Sequence, residues 1–115
     1  MKKTYNKLIR DRIAEIIVSH GDEPKISTLN KKEYFVELKK KVLEEGKELV
    51  ESEKRADIIN ELTDILELID AIAKEKKIDP KDLKSAQKLK RFERGGFDKK
   101  IFLHYVNENI SGSSK

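Results

Sequence analysis

The sequence predicts an all-α protein of four to five helices, and three observations support this fold class. Apolar residues recur at helical spacing, for example at Phe35, Leu38, Val42 and Leu49. Charged residues make up 42% of the chain, which is typical of helices with solvated outer faces. Two prolines and five glycines provide few of the turn signals that an all-β fold needs.

Length and composition narrow the class of protein further. The 115 residues suffice for one domain with a small core, predicted at residues 1–108 and followed by a flexible C-terminal tail at 109–115. The absence of cysteine excludes disulfides, thiolate zinc sites and cysteine nucleophiles. No apolar run approaches the ~20 residues of a membrane span, and the N-terminus does not have the pattern of a signal peptide. We therefore expect a cytoplasmic protein with no membrane partner.

The first helix is predicted over residues 6–20, and Gly21 is its stop signal. Isoleucines form its apolar stripe: Ile9, Ile13, Ile16 and Ile17. Basic residues lie off this stripe: Lys7, Arg10 and Arg12. A solvated face is the ordinary role of such residues, and phosphate binding is the alternative.

Two long helices joined by a short turn are predicted next. Asn30, with Glu33 three residues later, predicts a capping box at the start of a helix that runs to about Glu51. A further helix covers about residues 56–77. If the two segments formed one continuous helix, their apolar stripes would lie roughly 160° apart. A turn near residues 54–55 lets both stripes face one core.

Local signals define a fourth helix. Asp79 is the predicted N-cap, Pro80 suits the first helical position, and Gly95-Gly96 ends the helix. Its face is strongly basic: Lys81, Lys84, Lys88, Lys90, Arg91 and Arg94. The whole chain has a net charge of +4, which is compatible with either nucleotides or nucleic acid as a ligand. The β-prone residues 100–106 could pair with residues 25–29 as a small β ribbon.

Four acids in the helical hairpin are the candidate metal ligands. They form two pairs, Glu45 with Glu48 and Glu61 with Asp64, and each pair has the i,i+3 spacing that places two carboxylates on one helix face. If the chain turns near residues 54–55, the pairs meet at matching heights on antiparallel helices. Carboxylates without cysteine or histidine favour Mg²⁺, or alternatively Mn²⁺, over zinc. Neither His20 nor His104 follows a glutamate at i+3 on these helices, which argues against a di-iron centre.

A solvated acidic face is the competing interpretation of these pairs. The chain contains other acidic pairs at the same spacing, for example Glu67 with Asp70. Three features favour a metal site: the symmetry of the pairs about the turn, the position of Glu45 near the apolar stripe, and the basic helix downstream. The residues alone leave both interpretations open.

The combined motifs resemble a known family. The pattern Glu44-Glu45-x-x-Glu48 followed by Glu61-x-x-Asp64 resembles the all-α nucleoside triphosphate pyrophosphohydrolase superfamily. The segments Asn6–Ile13 and Arg91–Phe97 resemble its short MazG-like members, also described as phosphoribosyl-ATP pyrophosphohydrolase-like. Ala14, Gly46 and Thr63 depart from the usual pattern without removing an acid. The resemblance covers residues 5 to about 103.

The resemblance implies a MazG-like bundle that hydrolyses an NTP or dNTP to the monophosphate and pyrophosphate. It also implies a homodimer or homotetramer and a Mg²⁺ site formed by Glu45, Glu48, Glu61 and Asp64. We expect Glu44 or Glu48 to act as the catalytic base. The expected phosphate-binding residues are basic: Lys7, Arg10, Lys88, Arg91 and Arg94. Phe97 could stack on a base, although a core position is its ordinary role.

A non-enzymatic function is the alternative. In that case the chain is a helical dimer whose basic fourth helix binds nucleic acid or a protein partner. This interpretation explains the charge and the helices but leaves the symmetric acids unexplained. We therefore expect a nucleotide, and not nucleic acid, as the ligand.

Overall fold

Four helices make up the regular structure of the chain in a computed structural model that describes residues 1–108. They are α1 (Ile13–Ser19), α2 (Lys31–Glu51), α3 (Arg55–Glu75) and α4 (Pro80–Arg94). No strand forms within these residues, which confirms the all-α class. The predicted flexible tail at 109–115 lies outside the described residues.

The chain divides into two compact units, and the four candidate metal ligands all belong to the first. The first unit is Met1–Pro80 and the second is Lys81–Lys115, of which residues 81–108 are described. The prediction of a single domain over residues 1–108 stays a prediction. None of the described helices is both long and apolar enough to cross a membrane.

The first unit is organised around the packing of α2 against α3. Residues 52–54 connect the two helices, and so short a connection makes an antiparallel helical hairpin. The predicted turn near 54–55 is therefore confirmed within a few residues. Leu38, Leu68 and Ala73 are buried, and the same small core also buries Glu45 and Glu61.

Specific backbone contacts define both ends of α2. The Asn30 side chain accepts a hydrogen bond of 2.8 Å from the Glu33 N–H, and the Glu33 carboxylate accepts one of 3.4 Å from the Asn30 N–H. This reciprocal pair is the predicted capping box. At the other end, the Ser52 hydroxyl donates to the Glu48 carbonyl at 2.8 Å, while the extended backbone of Ser52 ends the helix. The turn therefore needs neither glycine nor proline.

The first helix is shorter than predicted. It begins at Ile13 and not at residue 6, and Asn6 has a positive φ of 47°, outside the right-handed helical region. Arg12 occupies the N-cap position without a side-chain cap. The segment before α1 instead brings Arg10 to Asp64 on α3, so a tertiary contact overrides the local helical pattern.

The predicted β ribbon is not seen. Residues 25–29 and 100–106 lack regular secondary structure, and one segment belongs to each compact unit. Ile26 and Phe102 are both exposed, so neither segment has an apolar face covered by other elements. Two paired strands without such cover are marginally stable in water, which explains why their β-prone composition is insufficient.

Candidate metal centre

Three of the four predicted ligands converge between α2 and α3. Glu45, Glu61 and Asp64 each offer a carboxylate oxygen, and these oxygens all lie within 4.8 Å of one another. Glu45 comes from α2 and the other two from α3, so the hairpin itself creates the acidic triad. Glu61 and Asp64 share one face of α3 because they are three residues apart.

Burial distinguishes this triad from a solvated acidic face. Glu45 is only 8% exposed and Glu61 only 9% exposed. One oxygen of each, Oε2, is buried and has no hydrogen-bond donor. A buried carboxylate without a donor or a cation is costly, because it loses its hydration without compensation. The two oxygens are therefore suited to a positively charged ligand.

The same lack of compensating donors affects the protonation of Glu45. Burial raises the pKa of its carboxyl from 4.5 to about 8. The neighbouring carboxylates of Glu61 and then Glu48 add to the rise, because they favour a shared proton and repel a second negative charge. A metal ion would replace that proton, since a metal ligand must be deprotonated.

Glu48 and Glu44 are not members of the triad. Glu48 is exposed, although it is near enough to Glu45 to raise the pKa of that carboxyl. Glu44 is partly exposed and pairs with Lys41, whose Nζ lies 3.5 Å from Glu44 Oε2. The residues expected to supply the catalytic base thus remain accessible to water, whereas Glu45 and Glu61 are shielded from it.

Arg10 joins the acidic triad across 54 residues of sequence. Its Nη2 donates a hydrogen bond of 2.6 Å to Asp64 Oδ1. The Arg10 side chain is 52% exposed and that of Asp64 is 28% exposed, so the pair lies at the rim of the site. No local pattern links these two positions, and the pairing was missed in the sequence analysis.

The other predicted phosphate-binding residues are all exposed. Lys7 is exposed and its Nζ lies 5.7 Å from the centre of the Tyr5 ring. Lys88, Arg91 and Arg94 are exposed on α4, in the second unit. Lys88 and Arg91 line a depression of about 110 Å³ together with Lys84 and Gln87. Phe97 is almost fully exposed, so the core position considered for it is not seen.

Comparison with known protein families, curated proteins and solved structures gives no match to the chain. The resemblance to MazG-like proteins therefore depends on the motif residues alone. The acidic triad, in contrast, is a feature of the folded chain and does not depend on that resemblance.

Proposed function

We propose that the chain is a Mg²⁺-dependent nucleotide pyrophosphohydrolase that cleaves an NTP or dNTP to the monophosphate and pyrophosphate. The observation that carries the proposal is the triad of Glu45, Glu61 and Asp64, with two buried carboxylate oxygens that have no donor. Isolated acidic pairs on a solvated surface would not have this burial. The motif resemblance supplies the reaction class.

The donor set fits a divalent cation. All three groups offer carboxylate oxygens, which are the ligands that Mg²⁺ and Mn²⁺ prefer. With all three ionised and the nearby Arg10 guanidinium counted, the site carries two net negative charges, which a divalent cation would neutralise. When bound, Mg²⁺ supplies charge that offsets the triphosphate and makes a water molecule easier to deprotonate.

The side chains around the triad suit the remaining tasks. Glu48, which is exposed beside Glu45, could accept a proton from the attacking water, and Glu44 could do so if it leaves Lys41. Arg10 can exchange its contact with Asp64 for a phosphate oxygen, because its guanidinium is half-exposed at the rim.

The proposal includes a homodimer or homotetramer. On α3, apolar residues at alternating spacings of three and four remain exposed: Ile59, Leu62, Leu66 and Ile69. Such spacing forms a continuous seam along one side of a helix, suited to packing against another helix. A second copy of the chain would bury this seam.

Pyrophosphate release tests the catalytic proposal. The chain is incubated with Mg²⁺ and a panel of NTPs and dNTPs, and pyrophosphate and orthophosphate are measured separately. We expect pyrophosphate from at least one substrate, and a loss of about 100-fold or more in Glu61→Gln and Asp64→Asn, because charge stabilisation worth several kcal/mol is removed.

Glu67→Gln is the matched control, since Glu67 is an exposed acid on the same helix and is not in the triad. Its activity should equal that of the wild type, and circular dichroism should show that all three variants remain helical. Unchanged turnover in Glu61→Gln and Asp64→Asn would contradict the site assignment.

A nucleic-acid-binding module is the second candidate function, and the second unit supports it. The depression lined by Lys84, Lys88 and Arg91 is basic, and Phe92 and Phe97 are exposed nearby in the sequence. Basic grooves with exposed aromatic rings are suited to single-stranded nucleic acid. Tight, salt-sensitive binding of RNA or DNA without turnover of any nucleotide would favour this function over hydrolysis.

A further inference from the structure

A second charged site lies on the hairpin, at the end opposite to the turn. A cleft of about 460 Å³ lies where α2 begins and α3 ends, within the first unit. We call it the lysine cleft, and its lining residues are Lys31, Lys32, Phe35, Val36, Glu75 and Lys76. Phe35 precedes Glu45 by ten residues on α2, which corresponds to about 15 Å of helix. The cleft is therefore separate from the acidic triad.

Two ammonium groups from different elements converge on one aromatic ring in this cleft. Lys76 Nζ lies 4.0 Å from the centre of the Phe35 ring, and Lys39 Nζ lies 4.7 Å from it. Each contact is within the range of a cation–π interaction. The Phe35 ring thus contacts Lys76, which lines the cleft, and Lys39, which does not line it.

The three lysines that line the cleft, and Lys39 beside the Phe35 ring, have no ion-pair partner among the described residues. Lys40 and Lys41, by contrast, pair with Glu37 and Glu44 at 3.1 and 3.5 Å on the same helix. Glu75 is the acid among the lining residues, so positive charge predominates in the cleft.

The positions of Lys31 and Lys32 also require an explanation. They are the first two residues of α2, where the helix dipole disfavours positive side chains. Lys76 follows the C-terminal end of α3, where the dipole favours it. Helix stability therefore explains Lys76 but not Lys31 and Lys32, whereas an anion in the cleft would interact favourably with all three.

We propose that the lysine cleft binds a polyphosphate group. Several ammonium groups spread around one cleft suit a ligand with several linked negative charges, and lysine binds phosphate as a point charge. Tripolyphosphate and the triphosphate of a nucleotide share this chemistry. Binding here does not depend on the acidic triad or on the proposed hydrolysis.

Calorimetric titration of the full chain with tripolyphosphate in EDTA tests the proposal, because EDTA removes divalent metal from the triad. We expect binding to weaken at least 10-fold in Lys32→Gln/Lys76→Gln. The matched control is Lys47→Gln/Lys74→Gln, which removes the same charge from exposed positions of α2 and α3 outside the cleft. The control should bind within about threefold of the wild type. Amide NMR shifts should map to Phe35 and Lys76.

A second arm replaces tripolyphosphate with ATP, also in EDTA. Equal affinities for tripolyphosphate and ATP would show that the cleft recognises the phosphates alone. Tighter binding of ATP than of tripolyphosphate, with the difference lost in Phe35→Leu, would show that the Phe35 ring also contacts the nucleotide base. The proposal is overturned if the wild type does not bind tripolyphosphate. It is also overturned if the control weakens binding as much as the cleft variant, or if the NMR shifts map to α4.

Discussion

Glu45 is a carboxyl group that the hairpin shields from water without providing a donor for Oε2. Its surroundings are acidic on both helices, with Glu48 on α2 and with Glu61 and Asp64 on α3. Arg10 is the nearby cation, and it is directed to Asp64 and not to Glu45. Burial raises the pKa of that carboxyl to about 8, and the neighbouring acids add to the rise, so protonation of Glu45 in the metal-free chain relieves both the loss of hydration and the repulsion.

The stability of the metal-free chain should therefore fall as pH rises. Because the folded pKa of Glu45 is about 8 and its ordinary value is 4.5, the folded state binds more protons than the unfolded state between these values. The stabilising contribution is complete below about pH 4.5 and is lost by about pH 8. Urea denaturation in EDTA at pH 5.5 and 8.5 measures the difference. Glu45→Gln should show a smaller decrease, and an unfolding free energy that increases over this range in the wild type would contradict the prediction.

In the proposed metal site, Arg10 would compete with the metal ion for Asp64. Removing its charge in Arg10→Gln should tighten Mg²⁺ binding by about fivefold, the equivalent of about 1 kcal/mol for an ion pair that is half-exposed. Turnover of a nucleotide should nevertheless fall if Arg10 also binds phosphate. Calorimetry with Mg²⁺ and a pyrophosphate assay separate the two effects.

Arg12→Gln is the control for Arg10, since Arg12 pairs with the exposed Glu15 at 2.8 Å and not with the triad. It should leave both Mg²⁺ affinity and turnover unchanged. Weaker Mg²⁺ binding in Arg10→Gln would mean that Arg10 orients Asp64 and does not compete for it.

At the scale of elements, the α2–α3 hairpin positions the whole triad. The Asn30 capping box defines where α2 begins, and the extended backbone of Ser52 and Lys54 reverses the chain. This turn brings Glu45 opposite Glu61, because both lie on the facing sides of the two helices. The stability of the site is thus linked to both ends of α2, which lie outside the triad itself.

Loss of the N-cap should destabilise α2 without changing the triad. Asn30→Ala removes the hydrogen bond to the Glu33 N–H and should lower the free energy of unfolding by about 1 kcal/mol. Urea denaturation measures the change. Thr28→Ala, an exposed substitution in the preceding loop, is the control and should lie within about 0.5 kcal/mol of the wild type. An equal loss in both variants would assign the effect to the loop and not to the cap.

At the scale of the whole molecule, the described core is too small to cover the apolar surface of the helices. Leu38, Leu68 and Ala73 are its buried apolar members, while Leu66 on α3 remains 61% exposed. Contiguous apolar surface of this kind is characteristic of protein interfaces. The exposed seam on α3 is the basis for the proposed oligomer.

A charge in the α3 seam should dissociate that oligomer. We expect the wild type to have the mass of a dimer or tetramer by light scattering after gel filtration, and Leu66→Lys to be monomeric, because burying an unpaired ammonium group is costly. Glu67→Lys introduces the same residue at a neighbouring position outside the seam and should retain the wild-type mass. A monomeric wild type at about 100 µM would remove the basis for this prediction.

The helices with local signals were the predictable part of the fold. The Asn30–Glu33 box and Pro80 act over a few residues, and the phase change between the α2 and α3 stripes follows from helical periodicity. All three helix starts agree with these signals. The start of α1 was wrong by seven residues, because the Arg10–Asp64 contact lies outside any local pattern. The β ribbon was predicted from local β propensity and is not seen. Two paired strands need other elements packed against one face, and these segments lack such packing.

The sequence by itself determined the helical class, the hairpin and the four acids that could meet across it. Helical periodicity and capping depend on residues that are close together in the sequence, so the sequence is enough to predict them. Only the tertiary structure decided which acids converge, because burial depends on both helices at once. It shielded Glu45 and Glu61, left Glu48 exposed and brought Arg10 to Asp64 from 54 residues away.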